Sequence, residues 1–381
     1  MNTSTNYHDL SNNINYFQLT NIKLLFFDIF YKNNQIYLIM PIYNKQADHE
    51  QIFIKVDDVR LKMSYSHIKD NIEPTLIYVY NYTMHKETSS TIVVDVECNN
   101  IKKSYSLHHI RTADDQPKKF LTLTTLFKND YKLFTLFYNY YKNQGVSHFY
   151  MYYNGILTKE IKDIFIKYED VTLIEWNFNY WNPNMYKYCH HAQIGQIHHA
   201  VYRYGKDMCD YMIFCDLDEY LHIPESKFEK NDNNYNVNLT LKKFIENNPL
   251  IEIFGFCNIW ANTIDDKYPT SNTLPDKIVI NNQIDSYSTR SKNIYKISSI
   301  KTIGIHYIGE NITDCYKNIT DLSMYHFYNW SRQYRTLENV NTEITLNKNM
   351  FPQDNTIITN NTITKKKNKK RKKIKNKTKF H

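Results

Sequence analysis

Three acids crowd the end of one apolar run in this chain. The run Tyr211-Met-Ile-Phe-Cys215 is followed directly by Asp216-Leu-Asp-Glu219 and Tyr220. A continuous apolar run reads as a strand buried on both faces, and ligands of open α/β sheets sit at the carboxyl ends of such strands. In extended chain, Asp216 and Asp218 project to one side and Glu219 to the other. Two carboxylates held side by side repel unless a positive group lies between them. A hard divalent ion, Mn2+ or Mg2+, meets that need, and such ions bind through one or two carboxylates plus substrate phosphates. A nucleotide diphosphate is the matching partner. A lone Asp-x-Asp also occurs in solvated turns. The position of this one, after an apolar strand and midway through an α/β pattern, favours the metal.

Two later histidines could complete a metal shell as neutral imidazoles. His306 stands in Gly-Ile-His-Tyr and His326 in Met-Tyr-His-Phe-Tyr. His190, His191, His198 and His199 share one helical stretch, but their spacing leaves no compact ligand set. They read as helix surface, with Gln193 and Gln196 as polar contacts.

The elements that must position these residues follow from periodicity. From about residue 116, β-type runs at 120–127, 146–153, 171–176 and 211–215 alternate with helical spacing at 131–144, 159–168 and 186–204. In the first helix, for instance, Leu133, Phe134, Phe137, Tyr140 and Tyr141 recur in steps of three and four. Such alternation predicts an α/β domain, a mostly parallel sheet with helices on both faces. Residues 20–110 hold only short β-type runs between polar turns and predict a small all-β module. The expected organisation is a β module over 1–115, an α/β domain over 116–348, and a disordered Lys-rich tail over 349–381.

Composition narrows the function classes. With 381 residues, 42% of them hydrophobic, the chain can build two domains and a sizeable core. The richness in Asn, Ile, Lys and Tyr reflects AT-rich codons, as in a large DNA virus or an AT-rich microbe. The net charge of +8 is misleading, because 11 of the 47 Lys and Arg residues fall in 365–379. The remaining 36 face 39 acids, so the folded body is not a nucleic-acid-binding surface. The basic tail is suited to anionic partners. No apolar run reaches the roughly 18 residues that span a membrane, and residues 1–16 are polar, with no signal peptide. The 6 Cys include no CxxC pair, as in reduced thiols. These features predict a cytoplasmic protein, in a host cytoplasm or a virion if viral.

Four segments, in order, resemble glycosyltransferase family 92 and its bacterial and viral relatives with a GT-A fold. The first is Lys128-Asn129-Asp130 after a strand, then a helix and Gly145-Val-Ser-His-Phe-Tyr150. The second carries Gln193, Arg203, Asp216, Asp218, Glu219 and Pro224. The third is a Lys-containing strand at Lys292 that leads to His306. The last is Tyr325-His326-Phe327-Tyr328, followed by Ser331. Asp130 stands where the family usually has Glu, and the Glu-Trp often seen in the first helix is absent.

The resemblance implies transfer of a sugar from a nucleotide-diphosphate donor, a uridine diphosphate sugar, to a hydroxyl of a glycan or glycoprotein acceptor. It implies donor contacts at Thr124, Asn129, Asp130, Asn154, Gln193, Gln196 and Arg203. Mn2+ or Mg2+ would be held by Asp216 and Asp218 with His326 or His306. Candidate bases for the acceptor proton are Asp265, Asp266 and Asp285. Two other readings remain. A haloacid-dehalogenase-type phosphatase also places Asp-x-Asp after an apolar strand, but generally with Thr or Ser soon after the second Asp and at the start of its domain. An inactive sugar-binding or scaffold protein could use the same fold.

Overall fold

The computed structural model of the chain describes residues 14–21, 23–41, 52–69, 75–82, 90–110, 117–181, 191–224, 227, 240–265, 272–281, 290–306, 322–331 and 340–346. The segment 349–381 lies outside the described residues.

The N-terminal part is all β. Its strands are β1 (Phe17–Gln18), β2 (Leu24–Phe26), β3 (Asp28–Lys32), β4 (Gln35–Pro41), β5 (Phe53–Val56), β6 (Val59–Arg60), β7 (Met63–Lys69), β8 (Thr75–Asn81), β9 (Thr91–Cys98) and β10 (Ile101–Ile110). Eight of them form one sheet in the order β6-β5-β9-β10-β3-β4-β8-β7. Its tight hairpins use Asn and Asp where a Gly-poor chain has little Gly. Both central residues have positive φ at Asn33–Asn34, Asp57–Asp58 and Asn99–Asn100, the backbone that two-residue hairpins of the right twist require. The turn at Asp57–Asp58 joins β5 to β6 as an antiparallel hairpin.

Alternation along β3 and β4 gives this sheet two apolar faces. Ile29, Tyr31, Leu38 and Met40 close a core inside the module, together with Val94 and Val96. Phe30, Tyr37 and Ile39 face the other way, into a core shared with the second half of the chain.

That second half is built on a ten-stranded sheet. Its strands are β11 (Lys119–Phe127), β12 (His148–Tyr153), β13 (Val171–Glu175), β14 (Cys209–Phe214), β15 (Glu219–His222), β16 (Ile253–Thr263), β17 (Lys277–Asn281), β18 (Lys292–Lys296), β19 (Leu322–Phe327) and β20 (Val340–Thr345). Strands β13, β12, β11 and β14 are mutually parallel, and β19 lies parallel to β16. The other neighbours are antiparallel: β14 with β18, β18 with β16, β16 with β17, β17 with β20, and β15 with β19. The sheet is therefore mixed, not mostly parallel. Parallel neighbours need a crossover, usually a helix, and helical periodicity fades after residue 247.

Helices α1 (Phe134–Asn143), α2 (Lys159–Phe165) and α4 (Leu241–Glu246) pack on the face that carries Leu121, Leu123, Phe149, Met151 and Ile213. Thr158 and Thr240 cap α2 and α4, their hydroxyls accepting from the N–H groups of Ile161 and Lys243, and α1 ends at Gly145, whose φ is +91°. Helix α3 (His191–His199) continues into a π-helical turn, Ala200–Gly205, and covers the other face, with Tyr150, Tyr152, Met212 and Phe214. A short α5 (Tyr328–Ser331) follows β19. Among the described residues, no helix is long and apolar enough to cross a membrane.

One expectation is overturned here. His191, His198 and His199 are buried, not surface. The N-terminal sheet lies over α3, so the helix is covered on both sides. His198 pairs through Nδ1 with the Ile194 carbonyl at 2.8 Å and accepts at Nε2 from the Ile303 N–H at 3.2 Å. His190 lies outside the described residues.

Candidate active site

The carboxylates stand where β14 leaves the sheet. The chain turns at Leu217–Asp218, the Glu219 N–H donating to the Asp216 carbonyl at 3.1 Å, and β15 starts at once. Two tyrosines of α1 fix this turn from below. Tyr141 Oη donates to the Glu219 carbonyl at 2.8 Å and accepts from the Leu221 N–H at 3.1 Å, while Tyr140 Oη donates to the Leu221 carbonyl at 2.6 Å. The turn breaks the alternation of an extended chain. Glu219 therefore folds back beside Asp216, and its Oε2 accepts the Asp216 N–H at 2.7 Å. This corrects the expectation that Glu219 points away from the other two acids.

The cation of the cluster comes from β18. Lys292 is 2% exposed, and its Nζ lies 2.9 Å from Asp216 Oδ2 and 3.3 Å from Glu219 Oε2. The antiparallel register of β14 and β18 puts it there, since Phe214 faces Asn293. Burial alone would favour neutral lysine, but Asp216 and Glu219 hold its ammonium charged, well above the usual lysine range.

His326 enters from β19, opposite Glu219 in register. Its Nδ1 is 3.1 Å from Asn258 Oδ1. An amide oxygen only accepts, so Nδ1 carries a proton and Nε2 faces Asp218 Oδ2 at 3.5 Å. Trp260 stacks on the imidazole, with ring centroids 4.6 Å apart. Burial would lower the pKa of His326, but the Asp218 and Glu219 carboxylates outweigh it and raise it.

Asp130, ahead of α1, completes the acidic group. Burial and the Asp218 carboxylate push it up to about 7. Burial, against the pull of Lys292, together with the Asp216 carboxylate, also pushes Glu219 up to about 7. Four carboxyl groups thus face one lysine and one histidine, and the site is short of positive charge.

A narrow cleft opens beside this cluster, lined among others by Thr124, Gln193, Gln196, Phe214, Asp216 and Lys292. Gln196 Nε2 donates to Thr124 Oγ1 at 2.7 Å, and Thr124 donates to the Tyr150 carbonyl at 3.0 Å. Gln193 Nε2 lies 3.4 Å from Asp216 Oδ1, and its Oε1 accepts from Tyr180 Oη at 2.9 Å.

The structure thus brings together Thr124, Asp130, Gln193, Gln196, Asp216, Asp218 and His326. It places the other expected residues elsewhere. Asn129 is exposed at the turn after β11. Asn154 ties the carboxyl ends of three strands, its N–H donating to the Phe127 carbonyl and its side chain to those of Trp176 and Phe178. Arg203 is ion-paired with Asp28 of the N-terminal sheet, not with the acidic turn. His306 stands beside Ser291, its Nδ1 3.4 Å from the Ser291 carbonyl, and does not join Asp218. Asp265 is exposed beyond the end of β16. It is five residues past Trp260, the register partner of His326. Asp266 and Asp285 lie outside the described residues. Lys292, Asn258 and the inward Glu219 are the site residues that the expected set lacked.

Among the described residues, no three His, Cys, Asp or Glu side chains converge into a self-sufficient metal site. A divalent ion that shares a diphosphate needs only one or two protein ligands. Asp218 Oδ2 and His326 Nε2, a hard oxygen and an imidazole nitrogen with no proton required on it, fit that smaller demand. Asp216 is engaged by Lys292.

The family model described as Glycosyltransferase family 92 matches residues 122–374, more than half of the chain. The match starts in β11 and takes in every residue of the acidic cluster. No curated protein matches the chain.

Proposed function

The chain belongs to glycosyltransferase family 92 and is a glycosyltransferase, and from that premise we propose that its donor is a nucleotide-diphosphate sugar bound with Mn2+ or Mg2+ at the acidic turn. The observation that carries this reading is the charge balance of the cluster: carboxylates in excess, at the carboxyl edge of parallel strands, beside a cleft. The parallel half of the sheet, with that cleft at its edge, fits a GT-A-like catalytic domain.

Each residue then has a task. Asp218 and His326 would hold the ion, and Asn258 fixes the imidazole so that Nε2 points inward. When bound, the ion acts as a Lewis acid on the departing diphosphate. Lys292 bridges Asp216 and Glu219 without closing the site, because Asp216 remains 34% exposed toward solvent. Gln193, Gln196 and Thr124 offer neutral polar contacts to the nucleotide, a uridine in our reading. The acceptor is a glycan or glycoprotein hydroxyl. In an inverting reaction an acid takes the acceptor proton, and Asp265, Asp266 and Asp285 are the candidates for that role.

A panel of nucleotide-diphosphate sugars, assayed for nucleotide release by the full chain, tests the proposal. Release from a uridine diphosphate sugar with Mn2+, and its loss in chelator, is expected. Release that persists undiminished in chelator would argue for a metal-free transferase.

A further inference from the structure

A second charged group lies in the seam between the N-terminal sheet and α3. Asp28, at the start of β3, is fully buried. Its Oδ2 accepts from His199 Nε2 at 2.8 Å and from Arg203 Nη1, and its Oδ1 accepts from the Asn15 N–H at 2.7 Å. His199 Nδ1 in turn pairs with Tyr152 Oη at 2.7 Å. Burial opposes ionisation of Asp28, but Arg203 and His199 hold it below the usual carboxylate range. At the other end of β3, Lys32 is also buried, and its Nζ donates to the carbonyls of Tyr202 and Lys206. The π-helical turn of α3 is therefore held by an anion and a cation from one strand of the N-terminal sheet.

The same seam also presses on α3 within the stretch that carries the two cleft glutamines, from the face away from Gln193. The Phe27 ring lies so close to Gly195 that a Cβ there would come within 2.5 Å of it. Gly195 sits between Gln193 and Gln196, and both line the cleft. Adhesion alone does not need this arrangement, because Phe27, Phe30, Tyr37 and Ile39 already give the seam an apolar core. Buried ion pairs add little net stability over apolar packing, and their best-attested use is to fix register.

We propose that Asp28 is a positioning residue of the transferase: through His199 and Arg203 it sets the register of α3, and with it the placement of Gln193 and Gln196 in the donor cleft. The N-terminal sheet, which precedes the family match at 122–374, is then a working part of the donor site. This rests on the reading of the cleft as the donor site.

The test uses the full chain, with uridine diphosphate and Mn2+ as the probe. Asp28→Asn keeps the shape and removes the charge. It should weaken nucleotide binding ~10-fold or more and speed amide exchange across 191–205. On a Gln196→Ala background it should add little further loss, since coupled residues are non-additive. Val94→Ala, in the module's own core, should lower the melting temperature and leave nucleotide affinity unchanged. If Asp28→Asn does not fold, Gly195→Ala, which forces Phe27 and the helix apart, should give the same loss of affinity. Unchanged affinity and exchange in Asp28→Asn, or in Gly195→Ala where that variant stands in, overturns the proposal. A wild-type chain that binds no uridine diphosphate contradicts the functional reading instead, and amide exchange across 191–205 then decides the positioning claim alone.

Discussion

Lys292→Met loses donor turnover by ~10²-fold or more and melts about 10 °C lower. The physical reason is that Lys292 is the buried cation between Asp216 and Glu219. Removing one partner of a buried ion pair costs about 3–5 kcal/mol, because the remaining charge keeps its desolvation penalty without its counterion. In a domain of roughly 150–250 residues, each kcal/mol moves the melting temperature by roughly 2–4 °C. Methionine fills much the same space, so a cavity contributes little. The second substitution Glu219→Gln separates stability from catalysis. It removes the most deeply buried of the stranded charges, so the double variant should recover much of the lost melting temperature. Turnover should stay low, because the charge pattern that holds Asp216 at the cleft is still absent. Lys292→Met with wild-type melting and turnover would show that the cluster is an ordinary solvated turn.

Asp218→Asn has the opposite profile, with a large loss of turnover and a small change in stability. Its carboxylate is 5% exposed and has a long contact, 3.5 Å, to His326 Nε2. Its backbone carbonyl, which accepts from the Phe327 N–H at 2.9 Å, is untouched by the substitution. Relief of repulsion with Asp130 offsets part of what is lost. In the proposed site, Asp218 is the carboxylate that faces the ion, and a Lewis acid contributes several kcal/mol to the transition state. The variant should therefore drop ~10²-fold or more in kcat, with melting within a few degrees of wild type. Excess Mn2+ should restore only part of the rate. Near wild-type turnover across a Mn2+ titration would place the ion elsewhere. Glu219→Gln alone is not mild on this structure, since its Oε2 accepts the Asp216 N–H and faces Lys292.

Local signals made much of this legible in sequence. The apolar run before Asp216 marked β14, and spacing of three and four marked α1 and α3. Those signals depend on neighbours along the chain, which is why they survive folding unchanged. What sequence did not reveal depends on partners far along the chain. Lys292 meets Asp216 from 76 positions away, through the register of two antiparallel strands. The resemblance named Lys292 but gave it no partner, and a strand that also carries Asn293 and Lys296 does not single it out. The burial of His199 and His198 was hidden for the same reason, because their partners are Asp28 and Phe30 of the N-terminal sheet for the first and the Ile303 N–H for the second. The resemblance implied a donor contact at Arg203, yet the helix changes to a π turn at Ala200 and the guanidinium leaves on the side of Asp28. The direction of Glu219 depended on a single turn at Leu217–Asp218, which strand alternation does not encode.

Calorimetric titration of uridine diphosphate into the full chain, once with Mn2+ and once with chelator, tests the central claim most directly. A diphosphate held through an ion at Asp218 and His326 predicts saturable binding with Mn2+ and at least ~10-fold weaker binding in chelator. Equal affinity under both conditions would contradict it.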